Sequence, residues 1–277
     1  MNPAKFLMLI SLMLLSAGSA KAENWMTSLE DAKMIALTTN KFILVDFWAP
    51  WCKPCKRMEI ESWSDLNVQV LMNYFVPVKI DIDIERQLAH NYDVKSIPYI
   101  FIMDANGKVI HKELGYKSKS QVISFLKEFT LSSEFMAIDL INYHKNQNMA
   151  NSFRLGAKYQ DFSLRLDRSL KRDFLTVSQD YFNEAKKYLK KQESTDNLRL
   201  IQKIELYEIN EYLILDKADK ALRQLEKIDL LETNNEDFYN FLNFVAHSIL
   251  KDDRVEYWTA KVDENSIKKA QLYLNKN

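Results

Sequence analysis

Several things are scarce in this chain, and each shortage excludes something. It holds only two cysteines in 277 residues, Cys52 and Cys55. Two thiols cannot build a disulfide framework, and no second Cys pair or closely spaced His pair exists to complete a zinc site. There are four glycines and five prolines, and three of those glycines and every proline precede residue 116. The second half is therefore expected to be helical and short of tight turns. No glycine-rich phosphate loop or dinucleotide fingerprint occurs, so no cofactor is expected and electrons for any redox step must come from another protein. His90, His111, His144 and His247 are scattered without ligand or triad spacing, and no metal is expected. With 38 basic and 38 acidic residues the formal charge is zero, which gives no reason to expect a nucleic-acid partner. Beyond the first residues no apolar run is long enough to span a bilayer.

What is present begins with an address. Lys5 precedes an apolar run, residues 6–15, and Ala20-Lys21-Ala22 fits the small-x-small cleavage rule. Residues 1–22 read as a signal peptide cleaved after Ala22, with an uncleaved membrane anchor as the alternative. The mature chain would carry a net charge of −2. It is expected in the periplasm or otherwise outside the cytoplasm, where disulfides persist.

The chain is organised around Trp51-Cys52-Lys53-Pro54-Cys55. An apolar, β-rich stretch, 42–47, precedes it and reads as a buried strand. A helix is expected to open at Cys52, where Pro54 is tolerated in the first turn. A helix N-terminus favours thiolate over thiol, and Lys53 adds positive charge. Cys55 lies about one helical turn away, placed to attack a mixed disulfide formed by Cys52. A purely structural bond would close a very small loop and stabilise little. Asp46 lies inside the buried strand, where an unpaired carboxylate is costly and its pKa should rise.

Around this stretch the spacing predicts a helix over 27–39 with a Ser28/Asp31 capping pattern, and a further helical piece over 65–74. It predicts a strand over 76–82, a short helix over 84–92, a hairpin of 99–103 and 108–111 about Asn106-Gly107, and a helix over 118–129. This alternation describes an α/β unit with a mixed central sheet. After residue 131 apolar residues recur at helical spacing, giving six or seven helices with breaks near 145–149, 192–196, 216–217, 232–236 and 251–253. Helix pairs of this length are compatible with a helical repeat. The expected units are 23–131 and 132–277. No Pro/Gly/Ser-rich linker separates them, so close packing is expected.

The segment Val45-Asp46-Phe47-Trp48-Ala49-Pro50-Trp51-Cys52-Lys53-Pro54-Cys55-Lys56 resembles the active-site segment of the thioredoxin family, with Lys53 where glycine is usual. Val78-Lys79-Ile80-Asp81 resembles its central strand, Ser96-Ile97-Pro98-Tyr99 its cis-proline loop, and Leu114-Gly115-Tyr116 the glycine beyond its hairpin. Residues 58–65 depart from cytoplasmic thioredoxins and resemble exported relatives. The resemblance covers roughly Ser28 to Phe129. It implies a thioredoxin fold for these residues, and the helical spacing after residue 131 adds an all-α region.

The resemblance also implies site roles. Cys52 attacks a disulfide, Cys55 resolves the intermediate and Asp46 accepts the Cys55 proton. Trp51, Ile97, Pro98 and Gly115 form the client-binding rim, and Lys53, Pro54 and Lys79 support the site. Base frequencies favour a trans Ile97–Pro98 bond, and the resemblance reverses that. Lys79 is either a neighbour of Asp46 or a surface lysine at a strand edge. Trp48 is expected in the core.

The function expected is an exported thiol–disulfide oxidoreductase that reduces client proteins and is recharged by a membrane reductant donor. Lys-Pro between the cysteines is closer to the Gly-Pro of thioredoxin than to the Pro-His of the strong periplasmic oxidant. Lys53, by stabilising thiolate, pushes the other way, so an oxidase or isomerase is the alternative. So is a binding protein whose helical region is the working surface.

Overall fold

The computed structural model describes residues 25–191 and 197–274. The segment read as a signal peptide and the break expected at 192–196 lie outside the described residues.

Ser28 caps α1 (Leu29–Thr39) by accepting from the Asp31 N–H at 3.2 Å, so the capping pattern in the sequence marks a real helix start. There follow β1 (Phe42–Trp48), α2 (Lys53–Met58), which continues into a π turn (Glu59–Trp63), and α3 (Leu66–Met72). Then come β2 (Phe75–Asp81), α4 (Arg86–Asn91), β3 (Tyr99–Met103), β4 (Val109–Leu114) and α5 (Lys119–Glu128). The sheet order is β2-β1-β3-β4. β1 and β2 run parallel, and β3 and β4 are antiparallel to their neighbours. β1 is central, and its continuous burial explains its unbroken apolar run. β4 extends past the expected end at residue 111. It is an edge strand whose exposure alternates, so polar residues on its solvent side hide the strand signal.

The helical region comprises α6 (Ala137–Lys145), α7 (Met149–Ser163), α8 (Arg168–Lys190), α9 (Asn197–Ile214), α10 (Ala218–Leu225), α11 (Glu236–Leu250), α12 (Val255–Thr259) and α13 (Glu264–Leu274). Among the described residues that is more helices than expected, because the chain also turns at 164–167 and at 260–263. Neither turn contains glycine or proline. At the first, Leu164 is buried, so apolar periodicity continues through the reversal and conceals it. Gly156 permits close approach of α7 and α8: a Cβ there would lie 2.7 Å from the Phe182 ring. The Ser178 hydroxyl donates to the Gly156 carbonyl at 2.7 Å across the same contact.

The sheet and the first helices of this region share one core. Leu155, Tyr159, Phe174, Val177 and Tyr181 are buried in a single cluster with Phe42, Leu44, Phe101 and Ile102. Phe42 of β1 meets Phe174 of α8 edge-on at 5.8 Å between ring centroids. The polar contacts of this junction gather at the β3–β4 hairpin. Asp104 is fully buried there. Its Oδ1 accepts from the backbone N–H groups of Asn106 and Lys108, each at 2.9 Å. Its Oδ2 accepts from the hydroxyls of Tyr159 at 2.9 Å and Tyr181 at 2.6 Å. Lys108 pairs with Glu184, whose other oxygen accepts from the Tyr143 hydroxyl at 2.6 Å.

His111 of β4 adds a second junction contact. Its Nδ1 lies 2.8 Å from Asp173 of α8 and its Nε2 lies 3.1 Å from Glu113. Its ring packs on Phe125 and Phe129. The Asp173 hydrogen bond, helped by Glu113, holds the imidazole pKa above its ordinary 6.5 against the opposing effect of burial. A group whose folded pKa is raised contributes stability that is full below its unfolded pKa and is lost as pH rises through the folded value. Denaturant melts of His111→Gln and wild type are therefore expected to diverge below pH 6.5 and to converge in alkali. A constant difference across pH would rule this out.

Candidate active site

Cys52 and Cys55 form a disulfide, with S–S 2.02 Å and Cα–Cα 5.3 Å. Cys52 is the N-cap of α2, and its Sγ accepts from the Cys55 N–H at 3.2 Å. A donor aimed at this sulfur favours its thiolate in the reduced protein. Pro54 sits in the first turn, where its missing N–H is no loss. Lys53 is exposed. Both sulfur-bearing residues are buried, in a small cluster with Ala49 flanked by Trp48, Ile82 and Ile97.

The rim residues come from three separated segments. Trp51 is 63% exposed, and its indole N–H donates to Asp83 Oδ2 at 2.7 Å, which fixes the ring beside the dithiol. The Ile97–Pro98 peptide is cis, as the resemblance implied and against base frequency. The Gly115 N–H donates to the Pro98 carbonyl at 2.8 Å. Gly115 has φ +83°, and a side chain there would find no steric neighbour within 4 Å. The requirement for glycine is therefore conformational.

Beneath the rim, β1 carries Asp46 into the interior, 2% exposed. Burial drives its carboxyl pKa up from 3.8 to about 7; Lys79 draws it down, Glu59 pushes it up and the Trp63 indole draws it down. Lys79 lies in register opposite Asp46 on β2 and pairs with Glu59 of the π turn. Its ammonium lies 5.7 Å from the Trp25 ring centroid and 4.9 Å from that of Trp48. Lys79 is thus a partner of the Asp46 site and not a free surface lysine. Trp48 is half-buried rather than in the core, and its face receives this cation. Sequence reasoning missed Glu59, Trp63 and Asp83. Glu59 stands four residues after Cys55 and Trp63 four after Glu59, a helical spacing that tends to place side chains on one face.

The helical region is docked away from this rim. Pro98 lies just before β3 and Asp104 just after it, so the Asp104 junction sits about 20 Å along the strand from the cis-proline. Beside the buried dithiol, Trp51 stays exposed. Among the described residues, no group of three or more His, Cys, Asp or Glu side chains is placed to hold a metal ion, and no helix is long and apolar enough to cross a membrane.

Residues 29–130 match the family model described as a thioredoxin-like domain. Thioredoxin of Bacillus subtilis (strain 168) is 37% identical over 89 residues, which span 32% of this chain and 83% of that protein. Protein disulfide-isomerase of Ricinus communis is 28% identical over 128 residues, spanning 44% of this chain and 25% of that protein. Among solved structures, the reduced C-terminal domain of DsbD from Neisseria meningitidis is 22% identical, covering 36% of this chain and 93% of its own, with a TM-score of 0.33. With its paired cysteines at a helix start beside a cis-proline loop, the chain belongs to the thioredoxin family and is a thiol–disulfide oxidoreductase.

Proposed function

We propose that this chain is exported through residues 1–22, cleaved after Ala22, and reduces disulfides in client proteins. The observation that carries the reading is the geometry of the dithiol: Cys52 caps α2 with a backbone N–H directed at its sulfur, beside the exposed Trp51. The Cys52 thiolate attacks one sulfur of a client disulfide; the client S–S bond breaks and one client thiolate leaves. The Cys55 thiol gives its proton to the Asp46 carboxylate. Its thiolate then attacks Cys52 Sγ, the mixed disulfide breaks and the second client thiolate departs. The client has gained two electrons, and the chain holds a Cys52–Cys55 disulfide. A membrane reductant donor returns the electrons. Trp51, Ile97, Pro98 and Gly115 seat the client chain against the dithiol.

Direction follows from the reduction potential. Equilibration of mature protein with defined thiol buffers is expected to give a value near that of thioredoxin, roughly −270 mV. A value near roughly −120 mV would make the chain an oxidant and reverse the proposed electron flow. N-terminal sequencing of the protein recovered from outside the cytoplasm should begin at Glu23.

A further inference from the structure

Two buried polar atoms of the site have no hydrogen-bond partner: Asp46 Oδ1 and Trp63 Nε1. Trp63 is fully buried and stacks edge-on against Trp25 with 5.1 Å between centroids. An orphaned N–H in an apolar interior is costly, and so is an orphaned carboxylate oxygen. Here the two unsatisfied groups share one neighbourhood: Lys79 lies opposite Asp46 in the sheet, its ammonium faces the Trp25 ring, that ring packs on Trp63, and the indole draws the Asp46 pKa down. Glu59 and Trp63 stand four apart on the π turn that continues the dithiol helix. Glu59 engages Lys79, and Trp63 is left for Asp46. The groups that face Asp46 are thus Lys79 from β2 and Glu59 and Trp63 from the π turn.

We propose that Trp63 is a positioning residue for Asp46: in the reduced protein its Nε1–H donates to the ionised carboxylate and holds it to receive the Cys55 proton. This rests on the reading of Asp46 as the proton acceptor. In the oxidised state no proton has to move and the pair stands apart, outside hydrogen-bond geometry. During resolution the Cys55 S–H bond breaks and the proton passes to Asp46. Cys55 Sγ then bonds Cys52 Sγ, and the departing thiolate takes the electron pair of the mixed disulfide.

The test uses the mature chain, fully reduced, mixed with glutathione disulfide. Acid quench and mass spectrometry separate the Cys52–glutathione mixed disulfide from the final Cys52–Cys55 disulfide, so the resolving step is timed directly, over about pH 5 to 9. Trp63 is replaced by benzothienylalanine, which keeps the ring shape and removes the N–H, and in parallel by Trp63→Phe. Loss of a hydrogen bond to a charged acceptor is expected to move the pH midpoint of resolution up by about 0.5–1 unit, slowing the step about three- to tenfold on the acid side. In an Asp46→Asn background the same replacement is expected to do nothing. An unchanged midpoint in the isostere overturns the proposal, and so does a shift that persists without Asp46. If Asp46→Asn itself leaves the pH profile unaltered, it is the reading of Asp46 that fails.

Discussion

Asp104→Ala is expected to be the most destabilising single substitution in this chain outside the hydrophobic core. The carboxylate accepts four hydrogen bonds, two from the hairpin backbone and two from tyrosine hydroxyls on α7 and α8. Burial pushes its pKa up, and the four donors pull it back. Alanine removes the common acceptor and strands every donor in the interior. Each unsatisfied buried donor costs about 1–3 kcal/mol, and some recover partial contacts, so the expected loss is about 3–5 kcal/mol. Asp104→Asn keeps the shape but turns an amide donor toward groups that are already donors, and should lose about 1–2 kcal/mol. Because the two tyrosine bonds join the sheet unit to the helical region, the alanine variant should also unfold in two steps where the wild type unfolds in one. Urea melts followed by circular dichroism and by tryptophan fluorescence would show this as two separated midpoints. A loss under about 1 kcal/mol would mean that the apolar contacts alone hold the junction.

Asp46→Asn is expected to change stability and activity in opposite directions. The folded carboxyl has its pKa raised from 3.8 to about 7. Between these values the folded state holds the proton more tightly than the unfolded state. Wild-type stability therefore falls as pH rises through this window, by about 4 kcal/mol in total. Asparagine carries no such cost. At acid pH the variant should match the wild type. In mild alkali it should be more stable by about 2–4 kcal/mol, after a discount for the amide that is now buried. Under the proposed mechanism the dithiol loses its proton acceptor, and resolution of a mixed disulfide should slow by about 10- to 100-fold, since solvent replaces the base only in part. Denaturation of the oxidised protein at several pH values, paired with the exchange rate, checks both. A variant less stable than wild type in alkali would show that Asp46 is held ionised by Lys79 and that burial is not the controlling effect.

The Asp104 junction also bears on what the helical region does. It packs on β4 and on the hairpin end of the sheet. An exposed edge strand is a template for unwanted pairing, and α8 packs on it. The cis-proline lies at the other end of β3, away from this junction.

Much of this protein was legible before folding. The Trp51–Cys55 stretch, the buried strand before it, the capped helices and the Asn-Gly hairpin are local patterns, and local geometry decides them. Burial of Asp46 was legible too, because a carboxylate inside an unbroken apolar strand has nowhere else to go. The cis Ile97–Pro98 bond was reached through resemblance, since proline alone favours trans.

Tertiary structure decided the rest, because it depends on which distant residues meet. Lys79 could have been a surface lysine until β2 registered against β1 and the π turn brought Glu59 over it. Asp104 read as a turn residue, and its neighbours Tyr159 and Tyr181 lie 55 and 77 positions away, so no sequence window contains the junction. The turns at 164–167 and 260–263 are set by packing and carry no breaker. Sequence by itself determined the dithiol, its helix and its strand. Only the fold determined what surrounds the buried carboxylate and where the helical region docks, because charge, burial and long-range contact exist only once the chain has closed on itself.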